Sequence, residues 1–421
     1  MVLAFAACND SAEVLTPDTG TPEEAGADVQ ANDVTTQPDS SDATIDGRDD
    51  APADAPADAP VCEAGLEICN SACTDPSTYQ TDPKNCGFCG HDCLGNACAI
   101  GLCAPDTIGS TLPTPSNLAV DGTNVYVTTS GDGSPTATSG AVYQCPVTGC
   151  PTKLGPMTSS LNNPNGITLD STNVYWVNSG DLGTADGSVM SCPLSDCGKN
   201  DASRVAITKN RQFVQGIAVD ATNVYFNYWG AAPYGNGRVA SCPLAGCSGA
   251  PAAIITGQYK PLYVALDGST IFAAIMGGGA SVPYIQSGPI PGPSTGTRVY
   301  TGTIQNQIGG FALYGGFMYF SDAFTGEIDA CSETSCTTAV PLASSLNMPG
   351  SIAVDAKGIY WIDGNGTSIE TCPLKGCTAP TLLATPTQIA VNLALNGNYV
   401  YWVEDDANSN ANAGLIMRVA R

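Results

Sequence analysis

One segment recurs seven times along this chain, and that repetition constrains its fold more than any other feature. GITLDSTNVYW (166–176), GIAVDATNVYF (216–226) and SIAVDAKGIYW (351–361) align residue by residue, with looser copies at 117–127, 264–273, 311–320 and 393–402. The anchor positions Asp121, Asp170, Asp220, Asp267, Tyr314, Asp355 and Asn396 lie 49, 50, 47, 47, 41 and 41 residues apart. That period suits a four-stranded blade, a unit that cannot bury its own faces and must pack against its copies.

Repeat three shows the strands. IAVD reads as a short apolar inner strand, NVYFNY alternates as a second, GRVASC supplies a third, and AAIITG a fourth. Turn residues separate the runs, and period-2 alternation with Val, Ile and Tyr marks them as strands. The high content of glycine and proline, 47 and 30 residues of 421, agrees with a turn-rich all-β chain. The last repeat stops after its third strand, GLIMRVAR (414–421). Its missing fourth strand is expected from Asp106–Leu112, ahead of the first repeat, which would close the ring and hide its edges. The fold class is therefore an all-β, seven-bladed β-propeller over 105–421.

VYWVNSGD, MYFSDAFTGEI and IYWIDGNGTSI resemble the YWTD blades of the low-density-lipoprotein-receptor class and NHL-like propellers. In this chain the aspartate of that motif stands only at Asp322 and Asp363. The resemblance implies a binding scaffold and transfers no specific site.

Nineteen cysteines fall into three groups. Ten form C-x4-C pairs: Cys145/Cys150, Cys192/Cys197, Cys242/Cys247, Cys331/Cys336 and Cys372/Cys377. The repeat register sets them at the turn from third to fourth strand, with the second cysteine opening the fourth, where facing positions satisfy disulfide geometry. A staple is the favoured reading, against a metal clip or a redox switch. Eight more lie in 62–104, a segment too short to build a core unaided and expected to need four disulfides. Within it, Cys86, Cys89, His91 and Cys93 have the residue types of a zinc site. In an oxidising compartment thiols pair with each other instead. This stretch is similar to NCGxCGxxC modules in surface lipoproteins of gliding soil bacteria, which implies extracellular display.

Cys8 stands alone after MVLAFAAC, a sequence resembling a bacterial lipoprotein cleavage box with Cys8 as the lipidated residue. The leader before it is shorter than a full secretory signal, so translation is expected to begin upstream. Residues 9–61, including APADAPADAP, offer little to bury and are expected to form a disordered, extended stalk. Residues 1–61 carry 14 acids against one base, Arg48, of a net charge of −25. Such a balance disfavours nucleic acid and anionic membrane partners, so membrane association would come through the lipid alone.

Catalysis has few resources here. The single histidine, His91, lies outside the repeats, so no Ser-His-Asp or Cys-His arrangement fits within the blades. No G-x-S-x-G, phosphate-binding loop or HExxH occurs. The anchor aspartates read as turn residues that accept backbone N–H groups two places on. Trp176, Trp361 and Trp402 occupy a repeated strand position and are assigned to the core. Trp229 falls in a loop and, with Tyr228, Tyr234 and Tyr259, forms a candidate aromatic ligand platform, against ordinary loop packing. Asp363, Asn365, Asp405 and Asp406 bring oxygens together as a candidate Ca²⁺ site. The functional expectation is a monomeric, secreted, lipid-anchored protein on the bacterial outer membrane or cell surface. Its loop face would bind a protein or polysaccharide. The alternatives are a lactonase-like hydrolase using Ca²⁺ or Zn²⁺ held by carboxylates, and a structural envelope protein.

Overall fold

A computed structural model of the chain describes residues 62–421 apart from 132–138, 152–153, 198–202, 233, 277–281, 304–306 and 407–412. Cys8 and the stalk expected over 9–61 lie outside the described residues. Contacts divide the described chain between Asp75 and Pro76, inside the cysteine-rich segment expected over 62–104. In the first unit a hairpin pairs Glu67–Cys69 with Ala72–Thr74, and a disulfide joins Cys62 to Cys73. The second unit begins with a 3-10 helix, Pro76–Gln80, and holds disulfides Cys86–Cys98 and Cys93–Cys103. Cys69 and Cys89 are oxidised as well.

The rest of the second unit is the ring. Seven four-stranded antiparallel sheets follow one another, each formed in chain order from inner to outer strand, with one exception. In the last blade the inner strand Ile389–Asn396, Tyr399–Asp405 and Gly414–Ala420 are completed by Asp106–Leu112, as the sequence predicts. Gly414 faces Leu112 and Arg418 faces Asp106 across that seam, and Arg418 Nε donates to Asp106 Oδ2 at 3.0 Å. The core is distributed rather than central: seven apolar clusters each fill the gap between neighbouring blades. Trp176, Trp361 and Trp402, from the second strands, are fully buried in it.

Glycine lets the inner strands approach one another. A Cβ on Gly166 would stand 2.5 Å from Gln215 O of the next blade, and one on Gly216 would stand 2.6 Å from Leu262 O. Both fall below any normal contact, so only glycine fits.

The five C-x4-C pairs are all disulfides: Cys145–Cys150, Cys192–Cys197, Cys242–Cys247, Cys331–Cys336 and Cys372–Cys377. One expectation about them is corrected. The second cysteine does not open the outer strand in any of the five blades. The outer strands start at Pro156, Val205, Ala252, Val340 and Thr381, beyond Cys150, Cys197, Cys247, Cys336 and Cys377 respectively. The reason is that the turn is engaged elsewhere, in one of two ways.

In three blades the backbone of the second cysteine bonds the preceding blade. Cys150 N donates to Ile108 O, Cys247 N to Ile207 O, and Cys377 N to Leu342 O, each acceptor lying on that blade's outer strand. Blade four lacks the cysteines but makes the same bond through Ser294 N and Ile254 O, 2.8 Å apart. Cys197 and Cys336 are the exceptions. Cys197 N turns back on its own loop and donates to Pro193 O at 2.8 Å. Both side chains are buried instead, 8% and 7% exposed, Cys197 among the residues packed between blades one and two and Cys336 among those between blades four and five. The turn is therefore a clamp between blades, made through the backbone or through the buried sulfur, and the disulfide sets its shape.

Candidate functional site

The loops joining second to third strands and those crossing from blade to blade share one face of the ring. At the junction of blades three and four they converge on a lysine. Trp229 and Tyr234 come from the loop after the strand Asn223–Tyr228, and Tyr259 and Lys260 from the crossover before Pro261–Asp267. Lys260 Nζ lies 5.1, 5.0 and 5.4 Å from the ring centroids of Trp229, Tyr234 and Tyr259. These separations are within cation–π range, worth roughly 0.5–1 kcal/mol each at exposed sites. Lys260 makes no ion pair among the described residues.

The local backbone explains how the lysine gets there. Lys260 has φ near +50°, as do Thr114, Asn163 and Phe213 at the equivalent crossovers, so the left-handed turn belongs to the repeat. Trp229 is held from both sides. Its indole N–H donates to Pro261 O at 3.1 Å, and its ring lies 4.4 Å from Phe213 and 5.8 Å, edge-on, from Tyr234. Only 8% of it is exposed. Trp229 is thus the floor of the cluster, while Tyr234, Tyr259 and Lys260 are half-exposed. Tyr228, adjacent in sequence, packs into the core between blades two and three, 6.3 Å from Phe226. The four rings singled out in the sequence therefore divide three to one. Sequence reasoning missed Lys260, whose proximity arises only when the crossover folds against the preceding blade's loop.

The carboxylates nearest this face have structural partners. Asp322, Asp363 and Glu404 occupy equivalent ends of second strands in blades five, six and seven. Asp322 Oδ1 accepts Gln307 N at 3.0 Å, Asp363 Oδ2 accepts Asn347 N at 3.1 Å, and Glu404 Oε2 accepts Thr387 N and Gln388 N. Each tethers the incoming crossover to its blade. The aspartate that carries the YWTD resemblance is this tether. Asn365, with φ of 55°, shapes the turn after Asp363, while Asp405 closes a strand of the next blade. Burial pushes the carboxyls of Asp363 and Asp405 above the usual range. Among the described residues, the one group of three His, Cys, Asp or Glu ligand atoms brought together is Cys86, Cys93 and Cys103, all in disulfides. Asp363, Asp405 and Asp406 are not so assembled.

His91 is buried beside that group. Its Nδ1 lies 2.6 Å from Cys86 O and its Nε2 3.2 Å from Ala420 O, and its ring stacks on Phe88 at 4.6 Å. Through Ala420 it contacts the end of the third strand of blade seven, Gly414–Ala420.

The fold and this site define a class: a disulfide-stapled seven-bladed β-propeller. No protein-family model and no curated protein sequence matches the chain. Among solved structures it is similar to virginiamycin B lyase from Staphylococcus aureus, at a TM-score of 0.55 and 10% identity over 76% of this chain and 98% of that one. It is also similar to a streptogramin B lyase, with TM-score 0.51, 10% identity, and 75% and 97% covered. A computationally designed protein, Ika8, matches at 0.50 and 11%, with 75% and 98% covered. At such identities the likeness concerns the fold.

Proposed function

We propose that this chain is a displayed binding protein. Cys8 carries the lipid, 9–61 is the stalk, and the propeller takes a polysaccharide or protein on the loop face at the junction of blades three and four. The observation that carries this reading is the Lys260 ammonium, outside any ion pair among the described residues and flanked by the rings of Trp229, Tyr234 and Tyr259. Aromatic faces stack on the apolar faces of sugar rings, and an ammonium without a carboxylate partner donates to their hydroxyls. The net charge of −25 favours an uncharged chain over a polyanion. We take the anchoring to be in the bacterial outer membrane, the protein to be monomeric, and binding to need no Ca²⁺.

A lyase or metal-assisted hydrolase is the rival reading. A histidine-to-alanine form of the Staphylococcus aureus lyase is described as catalytically inactive. The one histidine here lies in the cysteine-rich segment ahead of the blades, and its ring nitrogens lie against the backbone carbonyls of Cys86 and Ala420. This supports binding without turnover.

Glycan and protein arrays probed with the wild-type protein and with Lys260→Ala test the reading. The expected result is retention of a polysaccharide by the wild type and its loss from the variant. Undiminished retention by Lys260→Ala, of a polysaccharide or a protein alike, would show that the ligand does not bind at this cluster. Trp229→Ala is a poor control, because a buried ring with a bonded N–H supports the fold.

A further inference from the structure

On the opposite face of the ring, blade five breaks the repeat at one position, and a cavity opens there. In blades one to three the anchor aspartate accepts the hydroxyl of a second-strand tyrosine. Tyr126 donates to Asp121 at 3.0 Å, Tyr175 to Asp170 at 2.7 Å, and Tyr225 to Asp220 at 2.8 Å. Blade five has Tyr314 at the anchor. Tyr319, the equivalent second-strand tyrosine, is 5% exposed, and among the described residues nothing accepts its hydroxyl. Both phenols line a cavity of about 490 Å³, within the size range of small-molecule sites.

The walls come from two blades. Tyr314, Phe317, Tyr319 and Leu342 belong to blade five, and Leu374 and Lys375 to the third-to-fourth turn of blade six. The Cys372–Cys377 disulfide shapes that turn, and Cys377 N on Leu342 O docks it against blade five at 2.8 Å. The cavity is thus built by the clamp rather than left by loose packing. Phe317 is 47% exposed at its mouth. Lys375, also exposed, makes no ion pair among the described residues. An apolar chamber with one unpaired hydroxyl in its wall and one free ammonium at the rim has a definite complement. That complement is a molecule with an apolar body and a single negative end.

We propose that this cavity binds a small amphipathic carboxylate. The apolar body lies between Tyr314, Tyr319, Leu342 and Leu374, and Lys375 Nζ takes the carboxylate, with the Tyr319 hydroxyl as a second donor. The proposal is independent of the loop-face ligand.

Calorimetric titration with decanoate, and with decan-1-ol as its uncharged counterpart, tests it. Wild-type protein is expected to bind decanoate at one site. Lys375→Ala should weaken decanoate at least tenfold and leave decan-1-ol unchanged. Tyr314→Asp, which gives Tyr319 the partner found in other blades and places a charge in the wall, should abolish decanoate binding. Should Tyr314→Asp fail to fold, the exposed Lys375→Ala decides alone. The proposal is overturned if wild-type protein shows no saturable decanoate binding, or if Lys375→Ala binds it equally well.

Discussion

Asp170 uses both carboxylate oxygens. Its Oδ1 accepts Thr172 N, Thr172 Oγ1 and Asn173 N, all within 2.8 Å, and its Oδ2 accepts the Tyr175 hydroxyl. Asp121 and Asp220 repeat this set. Burial alone would raise their pKa values, but the hydrogen bonds outweigh it and hold all three below the ordinary carboxylate range. They contribute stability above that range, and it is lost as pH falls through the folded values. Asp329 is the reverse. Burial first, then Glu327 and Asp322, pushes its pKa up to about 7. The folded state then holds a proton that the unfolded chain releases near pH 4, so stability declines as pH rises from about 4 to 7. Melting temperature against pH should therefore peak in weak acid. Asp329→Asn should flatten the decline and raise stability by about 1–3 kcal/mol at pH 8. An unchanged profile in the variant would contradict this assignment. Asp329 was illegible in the sequence, since nothing local distinguishes a strand acid that ends buried among other acids.

Among the elements, the staple carries a role the repeat did not reveal. SCPLAGC spacing places a disulfide at a hairpin, and the structure has it there. What no single repeat contains is the partner. Cys247 N reaches Ile207 O on another blade, whereas Cys197 N stays within its own turn and its sulfur is buried. One C-x4-C motif thus docks in two ways, and neither can be read along one strand pair. By contrast, strand order, the buried tryptophans and the anchor turns were legible because each follows from period or local turn chemistry. Replacing both Cys242 and Cys247 by serine removes a short loop closure worth about 2 kcal/mol. Because this clamp spans two blades, amide exchange should rise in Val205–Arg211 of blade two as well as in blade three. Exchange confined to blade three would show that the staple acts only within its own hairpin.

At the scale of the whole molecule, closure by Asp106–Leu112 ties the start of the ring to its last blade, so the ring cannot open at that seam without stripping the outer strand from blade seven. It also places the start of the ring on the outer strand of blade seven. A rigid ring of this kind suits capture at its loop face, and Lys260 with its three rings is the feature there that geometry singles out. Ligand binding at this cluster is tested most directly by one equilibrium titration. The polysaccharide retained on the arrays is titrated into wild-type protein and into Tyr234→Ala/Lys260→Ala, with melting temperature as the control for folding. Binding at least tenfold weaker in the double variant, with a melting temperature close to wild type, is expected. Equal affinity in a folded double variant would contradict it.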